Sequence, residues 1–135
     1  MILLYKGRGI AQGTGSGPLL ISPAPISFLS GVDPETGIIV EKGHPLNGRS
    51  IAGTVLVFPY GKGSTVGSYV LYALSRNGHA PAAIINAEAE AIIATGAIIG
   101  GIPMVDRIEI PPGTLKDGAR VTVNGDLGEV EYTTP

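Results

Sequence analysis

A short polar segment near the middle of the chain carries the side chains best suited to chemistry. Residues 61–65 read Gly-Lys-Gly-Ser-Thr, so a lysine and a serine lie within a glycine-rich turn. The apolar run at 54–58 predicts a buried strand before this turn, and apolar residues at helical spacing predict a helix over 66–77 after it. A helix N-terminus presents unpaired backbone N–H groups and the positive end of a dipole. The segment is therefore suited to holding an anion such as a carboxylate or a phosphate.

The hydroxyl of Ser64 could have either of two roles, one structural and one chemical. Ser64 or Thr65 can be the N-cap of the helix, because a hydroxyl oxygen accepts hydrogen bonds from the first N–H groups. Ser64 can instead act as a base, but only if backbone N–H groups and a nearby cation such as Lys62 stabilise its alkoxide. Gly63 would allow close backbone approach in either case. The residues of the turn leave both interpretations open.

Three common motifs do not fit the turn. A Walker phosphate loop has its lysine directly before the serine, whereas here Gly63 separates Lys62 from Ser64. Gly61, Gly63 and Gly67 are spaced one residue too widely for a dinucleotide fingerprint. The serine also lacks the G-x-S-x-G pattern of a hydrolase nucleophile. The turn therefore belongs to none of these nucleotide-binding or hydrolase sites.

Other polar residues lie in predicted loops, where binding side chains concentrate. Asp33, His44 and Arg49 are weaker binding candidates of this kind, with a plain turn or surface role as the alternative for each. His44 and His79 are far apart in sequence, and the carboxylates are scattered. Neither a Ser-His-Asp triad nor a metal site is expected from them.

The composition favours one apolar domain, residues 1–135, that meets a partner protein. Hydrophobic residues make up 44% of the chain and charged residues only 15%, which is unusually apolar for a small soluble monomer. The net charge of −2 gives nucleic-acid binding little support. There is no run of about eighteen apolar residues and no signal-peptide pattern, so we expect no membrane span and a cytoplasmic location. Without cysteine, the chain has no disulfide, no thiol nucleophile and no thiolate cluster ligand.

The pattern along the chain predicts an α/β fold in which a central βαβαβ unit is flanked by β-rich ends. Strands are expected at residues 3–11, 19–22, 38–40, 82–85, 120–123 and 129–132. A helix is expected at 88–96, and a turn from residue 98 is expected to lead into a strand that ends at 105. Apolar and polar residues alternate over 106–110. Glycine-rich residues 13–18 predict a flexible connection, residues 111–113 a turn, and Asn124-Gly125 a hairpin.

Several segments resemble the small subunit of the aconitase X family. They are SFLSGVDPETG at 27–37, GHPLNGRSIAG at 43–53, VLVFPYGKGSTVGSYVL at 55–71, APAAIINAEAE at 80–90 and GGIPMVD at 100–106. The resemblance extends over residues 6–131, and the block GKGSTVGSY at 61–69 is its most specific part. One mild departure is Ser30, where the family pattern has glycine.

The resemblance implies a swivelling β/β/α domain, similar to the C-terminal domain of aconitase, that a separate large subunit completes into an enzyme. The implied activity is that of a hydro-lyase of the archaeal mevalonate pathway of isoprenoid biosynthesis. It converts (R)-5-phosphomevalonate into trans-anhydromevalonate 5-phosphate by removing water. Ser64 would accept the proton from the carbon next to the substrate carboxylate. A 4Fe–4S cluster held by the large subunit, and not by this chain, would act as a Lewis acid on the leaving hydroxyl.

The resemblance also suggests roles for the neighbours of Ser64. Gly63 and Thr65 would offer backbone N–H groups to an alkoxide or to a substrate oxyanion, and Lys62 would bind a substrate anion. The three loop residues named above would line the cleft. Three alternatives stay open: a related dehydratase acting on cis-3-hydroxy-L-proline or another hydroxy acid, a non-catalytic anion-binding module, and a swivelling phosphocarrier using His79. The residues before His79 lack the glycine pair and the hydroxyl residue of such a phosphocarrier.

Overall fold

The structure is a computed structural model and describes residues 1–111 and 113–134. Its strands are β1 (Ile2–Lys6), β2 (Arg8–Ala11), β3 (Thr14–Ile21), β4 (Ile26–Ser27), β5 (Val55–Phe58), β6 (Gly61–Lys62), β7 (Ala83–Asn86), β8 (Met104–Asp106), β9 (Arg120–Asn124) and β10 (Glu129–Thr133). Its helices are α1 (Phe28–Gly31), α2 (Gly67–Arg76) and α3 (Ala91–Gly100).

Eight of these strands form one sheet, in the order β1-β10-β9-β3-β5-β7-β8-β2, while β4 pairs with β6 separately. β3, β5, β7 and β8 are parallel neighbours, and the other pairs of the large sheet are antiparallel. β1 and β2 lie at opposite ends of this order, although only Gly7 separates them along the chain. The sheet therefore folds back on itself until its two edges meet.

The long strand β3 connects two layers of this folded sheet. Residues 14–18 pair with β9 in one layer, and residues 19–21 pair with β5 in the other. One hydrophobic core, around Val55 and Tyr132, fills the space between the two layers. A second core, around Leu71, lies between the parallel strands and the helices. The two sheet layers and the layer of helices are therefore stacked in that order, which confirms the predicted β/β/α arrangement.

The central βαβαβ unit is also confirmed, as β5-α2-β7-α3-β8. Its strands are buried on both faces, which explains why their apolar runs do not alternate with polar residues. In β7, for example, Ile84 belongs to the core beneath the helices, whereas Ala83 and Ile85 belong to the core between the sheet layers.

The prediction of a flexible connection at 13–18 is wrong, because most of this segment belongs to β3. Its glycines are needed for close packing between backbones. A Cβ atom on Gly15 would collide with the carbonyl oxygen of Ala82, and one on Gly17 would collide with that of Gly53. Glycine composition suggests a loop here, although the fold uses glycine to bring a strand against its neighbours.

The helix expected at 88–96 begins and ends later, at Ala91–Gly100. Glu90 is its N-cap, and the Glu90 carboxylate accepts hydrogen bonds from the N–H groups of Ile92 and Ile93 at 2.8 and 2.7 Å. These two bonds satisfy N–H groups that have no partner within the helix, so the helix begins at this cap.

Gly96 does not end this helix as expected. A Cβ atom on Gly96 would lie 2.6 Å from Leu71 Cδ1, so the glycine allows α2 and α3 to pack closely. The helix ends at Gly100, and Gly101 follows it as a C-cap with a left-handed φ of 67°. The turn expected from residue 98 therefore begins three residues later.

Two smaller expectations also differ from the structure. The strand expected at 38–40 is reduced to isolated bridges with Val32 and Ser50. β8 ends at its third residue, so the alternation over 106–110 does not continue as a strand. The turn expected at 111–113 includes Pro112, which lies outside the described residues. α1 and the β4–β6 pair have no counterpart among the sequence-based predictions.

The terminal strands agree well with expectation. The strand expected at 3–11 is present as β1 and β2, and those expected at 120–123 and 129–132 are present as β9 and β10. The expected hairpin is confirmed, with its loop at residues 125–128. The Asn124 side chain stabilises this loop by accepting two backbone hydrogen bonds from it.

Candidate active site

The turn that contains Ser64 leaves the sheet at the carboxyl end of β5, the edge at which open α/β sheets bind ligands. Contacts with β7 and the residues after it fix the start of the turn. Asn86 Nδ2 donates to the Phe58 carbonyl oxygen at 3.1 Å. The Pro59 carbonyl oxygen accepts from the N–H groups of Ala87 and Glu88 at 3.0 and 3.3 Å. The first residues of the turn are therefore held to the adjacent strand.

The middle of the turn is held by a second strand pair and by α3. β6 runs parallel to β4, so that Gly61 lies opposite Ile26 and Lys62 opposite Ser27. A Cβ atom on Gly61 would collide with the Ile93 side chain. The turn is thus packed directly on the first turn of α3.

Ser64 follows this strand pair and precedes α2. Its Oγ accepts a hydrogen bond from the Val66 N–H at 3.1 Å, and its carbonyl oxygen accepts from the Gly67 N–H at 2.9 Å. Neither Ser64 nor Thr65 is the N-cap of the helix, since Val66 occupies that position. Ser64 as a residue is half-buried and belongs to a turn that leads into the helix.

The backbone around Ser64 offers donors to a negative charge. In the part of the chain that the structure describes, the N–H groups of Ser64 and Thr65 donate to no protein acceptor. Lys62 contributes a cation on the same turn, although its Nζ lies 3.3 Å from Glu41 Oε2 in an exposed ion pair. Free N–H groups, the positive end of α2 and a nearby ammonium can together stabilise an alkoxide or a bound oxyanion.

The loop candidates are not gathered around the hydroxyl of Ser64. Asp33 Oδ1 accepts from the Glu35 N–H at 2.9 Å within its own turn. Arg49 lies 3.6 Å from Asp117 in an exposed ion pair. Among residues 1–111 and 113–134, no hydrogen bond or ion pair joins either of them to Ser64. Ligand binding by these loop residues stays a prediction.

His44 is the buried member of this group, and both of its ring nitrogens are in use. Nδ1 accepts a hydrogen bond from the Leu46 N–H at 3.0 Å, which leaves Nε2 to donate to the Pro25 carbonyl oxygen at 3.2 Å. Pro25 directly precedes β4, and β4 pairs with the strand that leads to Ser64. The geometry therefore suits His44 to positioning this strand pair.

Sequence reasoning did not single out Asn86, which lies beneath the turn. Asn86 is fully buried, and its Oδ1 finds no hydrogen-bond partner within the described residues. Its Nδ2 must be the group that faces the Phe58 carbonyl oxygen, because only that end of the amide can donate. A polar residue at the end of the apolar run of β7 was the available signal.

The described residues offer no thiolate and no ligand set for an iron–sulfur cluster or another bound metal. The chain contains no cysteine. The described ranges also contain no group of three His, Cys, Asp or Glu side chains able to hold a metal ion. Over the same ranges, no helix is both long enough and apolar enough to span a membrane.

Comparison with known proteins agrees with the fold. A family model described as the aconitase X swivel domain matches residues 4–132. Over 129 residues the chain is 61% identical to the phosphomevalonate dehydratase small subunit of Methanocella arvoryzae, covering 95% of this chain and 98% of that protein. It is 60% identical to the protein of the same name from Methanosarcina acetivorans over 131 residues, with coverage of 96% and 91%. The crystal structure of Thermococcus kodakaraensis aconitase X in its holo form superimposes with a TM-score of 0.92 at 55% identity, covering 98% of this chain and 99% of the other.

Proposed function

The chain belongs to the aconitase X swivel domain family, and from this we propose that it is the small subunit of a phosphomevalonate dehydratase in which Ser64 is the proton acceptor. The enzyme is a hydro-lyase, and the names of relatives at about 60% identity favour phosphomevalonate over the hydroxyproline of a related branch. The substrate is then (R)-5-phosphomevalonate and the product trans-anhydromevalonate 5-phosphate.

In this proposal the Ser64 alkoxide removes the proton from the carbon next to the substrate carboxylate. The electron pair of that C–H bond forms the new C=C bond, and the hydroxyl on the neighbouring carbon leaves with its bonding electron pair. The departing hydroxide and the proton taken up by Ser64 together make up the water that is lost. A serine can accept this proton only where its ionised form is stabilised. The unused N–H groups of Ser64 and Thr65 at the start of α2 are the observation that carries the assignment.

The neighbours of Ser64 have supporting roles in the proposal. The Val66 N–H already donates to Ser64 Oγ at 3.1 Å, and the same bond would be retained and strengthened by an alkoxide. Lys62 would bind an anionic group of the substrate, and Gly63 and Thr65 would contribute backbone N–H groups. Asp33, His44 and Arg49 are retained only as weaker candidates for lining the cleft.

An iron–sulfur cluster is implied for enzymes of this family, and it would supply Lewis acid chemistry at the leaving hydroxyl. This chain offers no thiolate and, within its described ranges, no set of metal ligands. We therefore assign the cluster, as 4Fe–4S, to the large subunit, which pairs with this chain in a heterodimer or a larger assembly. The active site would then lie between the two subunits, with the Ser64 turn as the contribution of this one.

The proposal is tested by assembling the enzyme from both subunits and measuring dehydration of (R)-5-phosphomevalonate. Ser64→Ala should lower kcat about 100- to 10,000-fold, the usual contribution of a general base, with a much smaller change in KM. Ser16→Ala is the matched control, since Ser16 is an exposed serine of β3 whose hydroxyl hydrogen-bonds to that of Thr122, and the kcat of this variant should equal that of the wild type. Wild-type kcat in a folded, assembled Ser64→Ala enzyme would overturn the role of Ser64.

A further inference from the structure

The outer face of α2, directly after Ser64, carries large apolar side chains that the fold leaves exposed. Val66, Tyr69 and Tyr72 are spaced three residues apart, so they project from one side of the helix within about 120°. They are 44%, 67% and 41% exposed, respectively. The opposite side of the same helix, with Leu71 and Leu74, is fully buried. The exposed side therefore carries a row of apolar side chains that no described part of the chain covers.

Two further exposed residues belong to the Ser64 turn and to the helix packed beside the start of α2. Tyr60, within the turn itself, is half exposed. Leu29 of α1 is exposed beside the start of α2, where a Cβ atom on Gly67 would lie 4.0 Å from the Leu29 backbone nitrogen. We call the set Leu29, Tyr60, Val66, Tyr69 and Tyr72 the α2 apolar surface.

The composition of the α2 apolar surface is that of a protein–protein contact. Three of the five tyrosines of the chain belong to it, and tyrosine is enriched among residues that dominate binding energy at interfaces. A tyrosine buries a large ring while its hydroxyl can still reach a polar partner. Tyr60 and Val66 also flank Ser64 along the chain, as expected where an active site lies within an interface.

We propose that the α2 apolar surface is where this chain docks on the large subunit of its enzyme, with Tyr69 near the centre of the contact. This inference rests on the proposed function, because Ser64 must face the chain that carries the remaining catalytic groups. A surface continuous with the Ser64 turn is then brought against that chain. The complementary surface would be apolar, with hydrogen-bond acceptors for the tyrosine hydroxyls.

The chain has another exposed apolar region, and its position makes it a control. Leu127 lies in the loop between β9 and β10, next to the start of β3, since Asn124 pairs with Thr14. β5 runs parallel to β3, so the Ser64 turn at its carboxyl end and Leu127 lie at opposite ends of the sheet. Leu127 is 66% exposed and Tyr69 is 67% exposed, so the two residues are matched in accessibility.

The test compares Tyr69→Ser and Leu127→Ser in binding to the large subunit, by titration calorimetry of the purified subunits. Tyr69→Ser should raise Kd at least tenfold, and the double variant Tyr60→Ser with Tyr69→Ser should raise it further. Leu127→Ser should leave Kd unchanged. Circular dichroism and the unfolding temperature verify that each variant is folded. Equal Kd values for wild type and the double variant, or a larger effect of Leu127→Ser, would overturn the proposal.

Further measurements separate this proposal from the function it rests on. Ser64→Ala should bind the large subunit with wild-type Kd while losing activity. The activity lost in Tyr69→Ser should return to the wild-type kcat when the large subunit is added in excess of the raised Kd. If no assembled complex dehydrates phosphomevalonate while Tyr69→Ser still raises Kd, the function fails and the docking surface stands. If sedimentation shows that Tyr69 holds two copies of this chain together and Kd for the large subunit is unchanged, the docking surface fails.

Discussion

Gly63 and Ser27 are so close that a Cβ atom on Gly63 would lie 2.7 Å from the Ser27 hydroxyl oxygen. Gly63 also has a φ of 94°, a backbone conformation that residues with a side chain rarely adopt. Ser27 belongs to β4, which pairs with the strand directly before Gly63. Two independent constraints therefore fix residue 63 as glycine, and with it the backbone that carries Ser64.

Gly63→Ala should lower kcat at least tenfold in the assembled enzyme, because the turn or the Ser27 side chain must move to make room for the methyl group. A displacement of about 1 Å is enough to misalign a catalytic group by this factor. The left-handed backbone should also cost about 1–2 kcal/mol of stability. Steady-state kinetics and urea unfolding of the same preparation measure the two effects.

Gly48→Ala is the control that separates the effect of the left-handed backbone from the effect of the steric contact with Ser27. Gly48 has a φ of 86°, yet a Cβ atom there would meet nothing within 4 Å. Its alanine variant should lose a similar amount of stability while keeping the wild-type kcat. A Gly63→Ala enzyme that matches the Gly48→Ala enzyme in kcat would show that the Ser27 contact does not position Ser64.

Lys62 can be tested as a substrate-binding residue through its ion pair with Glu41. The pair is exposed, so breaking it should change stability by only about 0–1 kcal/mol. Lys62→Met should raise KM for (R)-5-phosphomevalonate about tenfold, the effect expected from losing one charge-assisted hydrogen bond. Saturation kinetics at fixed ionic strength give the value.

Glu41→Gln is the control, because it breaks the same ion pair and leaves the ammonium in place. If Lys62 binds the substrate, Glu41→Gln should leave KM unchanged or lower it slightly, since the carboxylate no longer competes for the ammonium. Equal increases in KM for both variants would instead mean that the ion pair itself positions the turn.

The local patterns were sufficient to predict the centre of the fold. Buried runs without alternation indicated parallel strands, and the apolar spacing after residue 65 indicated α2. These signals depend on residues close together in sequence. The Ser64 turn could be located for the same reason, since its strand, its glycines and its helix are contiguous.

The failures arise from contacts between distant parts of the chain. Gly15 belongs to a strand because Ala82 approaches it, and Gly96 lies inside a helix because Leu71 packs against it. The roles of Asn86 beneath the turn and of Ser27 beside it were not predicted, because both depend on contacts with residues distant in sequence. Such partners lie tens of residues away, so neither propensity nor periodicity registers them.

Arg8 and Asp106 join β2 to β8 through a fully buried carboxylate. Arg8 Nε donates to Oδ1 at 2.9 Å and its terminal nitrogen donates to Oδ2 at 2.7 Å, while the Ala89 N–H donates to Oδ2 at 2.7 Å. Burial by itself raises the pKa of Asp106, but the hydrogen bonds from Arg8 and from Ala89 outweigh it and hold the pKa below its ordinary value of 3.8. As the pH falls, the unfolded chain therefore takes up a proton on the Asp106 carboxylate before the folded chain does. At pH values above the unfolded-state pKa of this group, the ionised carboxylate stabilises the fold.

Asp106→Asn should lower the free energy of unfolding at pH 7 by about 2 kcal/mol, because the amide cannot accept all three hydrogen bonds and leaves a buried donor unpaired. The difference from the wild type should shrink as the pH falls through 3.8 towards the lower folded-state pKa, where the wild-type carboxylate is protonated as well. Urea unfolding at pH 7 and near pH 3 measures both values.

Glu88→Gln is the control, since Glu88 forms a similar two-bond pair with Arg107 on the exposed surface, and its effect should be much smaller. A wild-type advantage over Asp106→Asn that stays constant with pH would mean that the charge of Asp106 does not stabilise the fold.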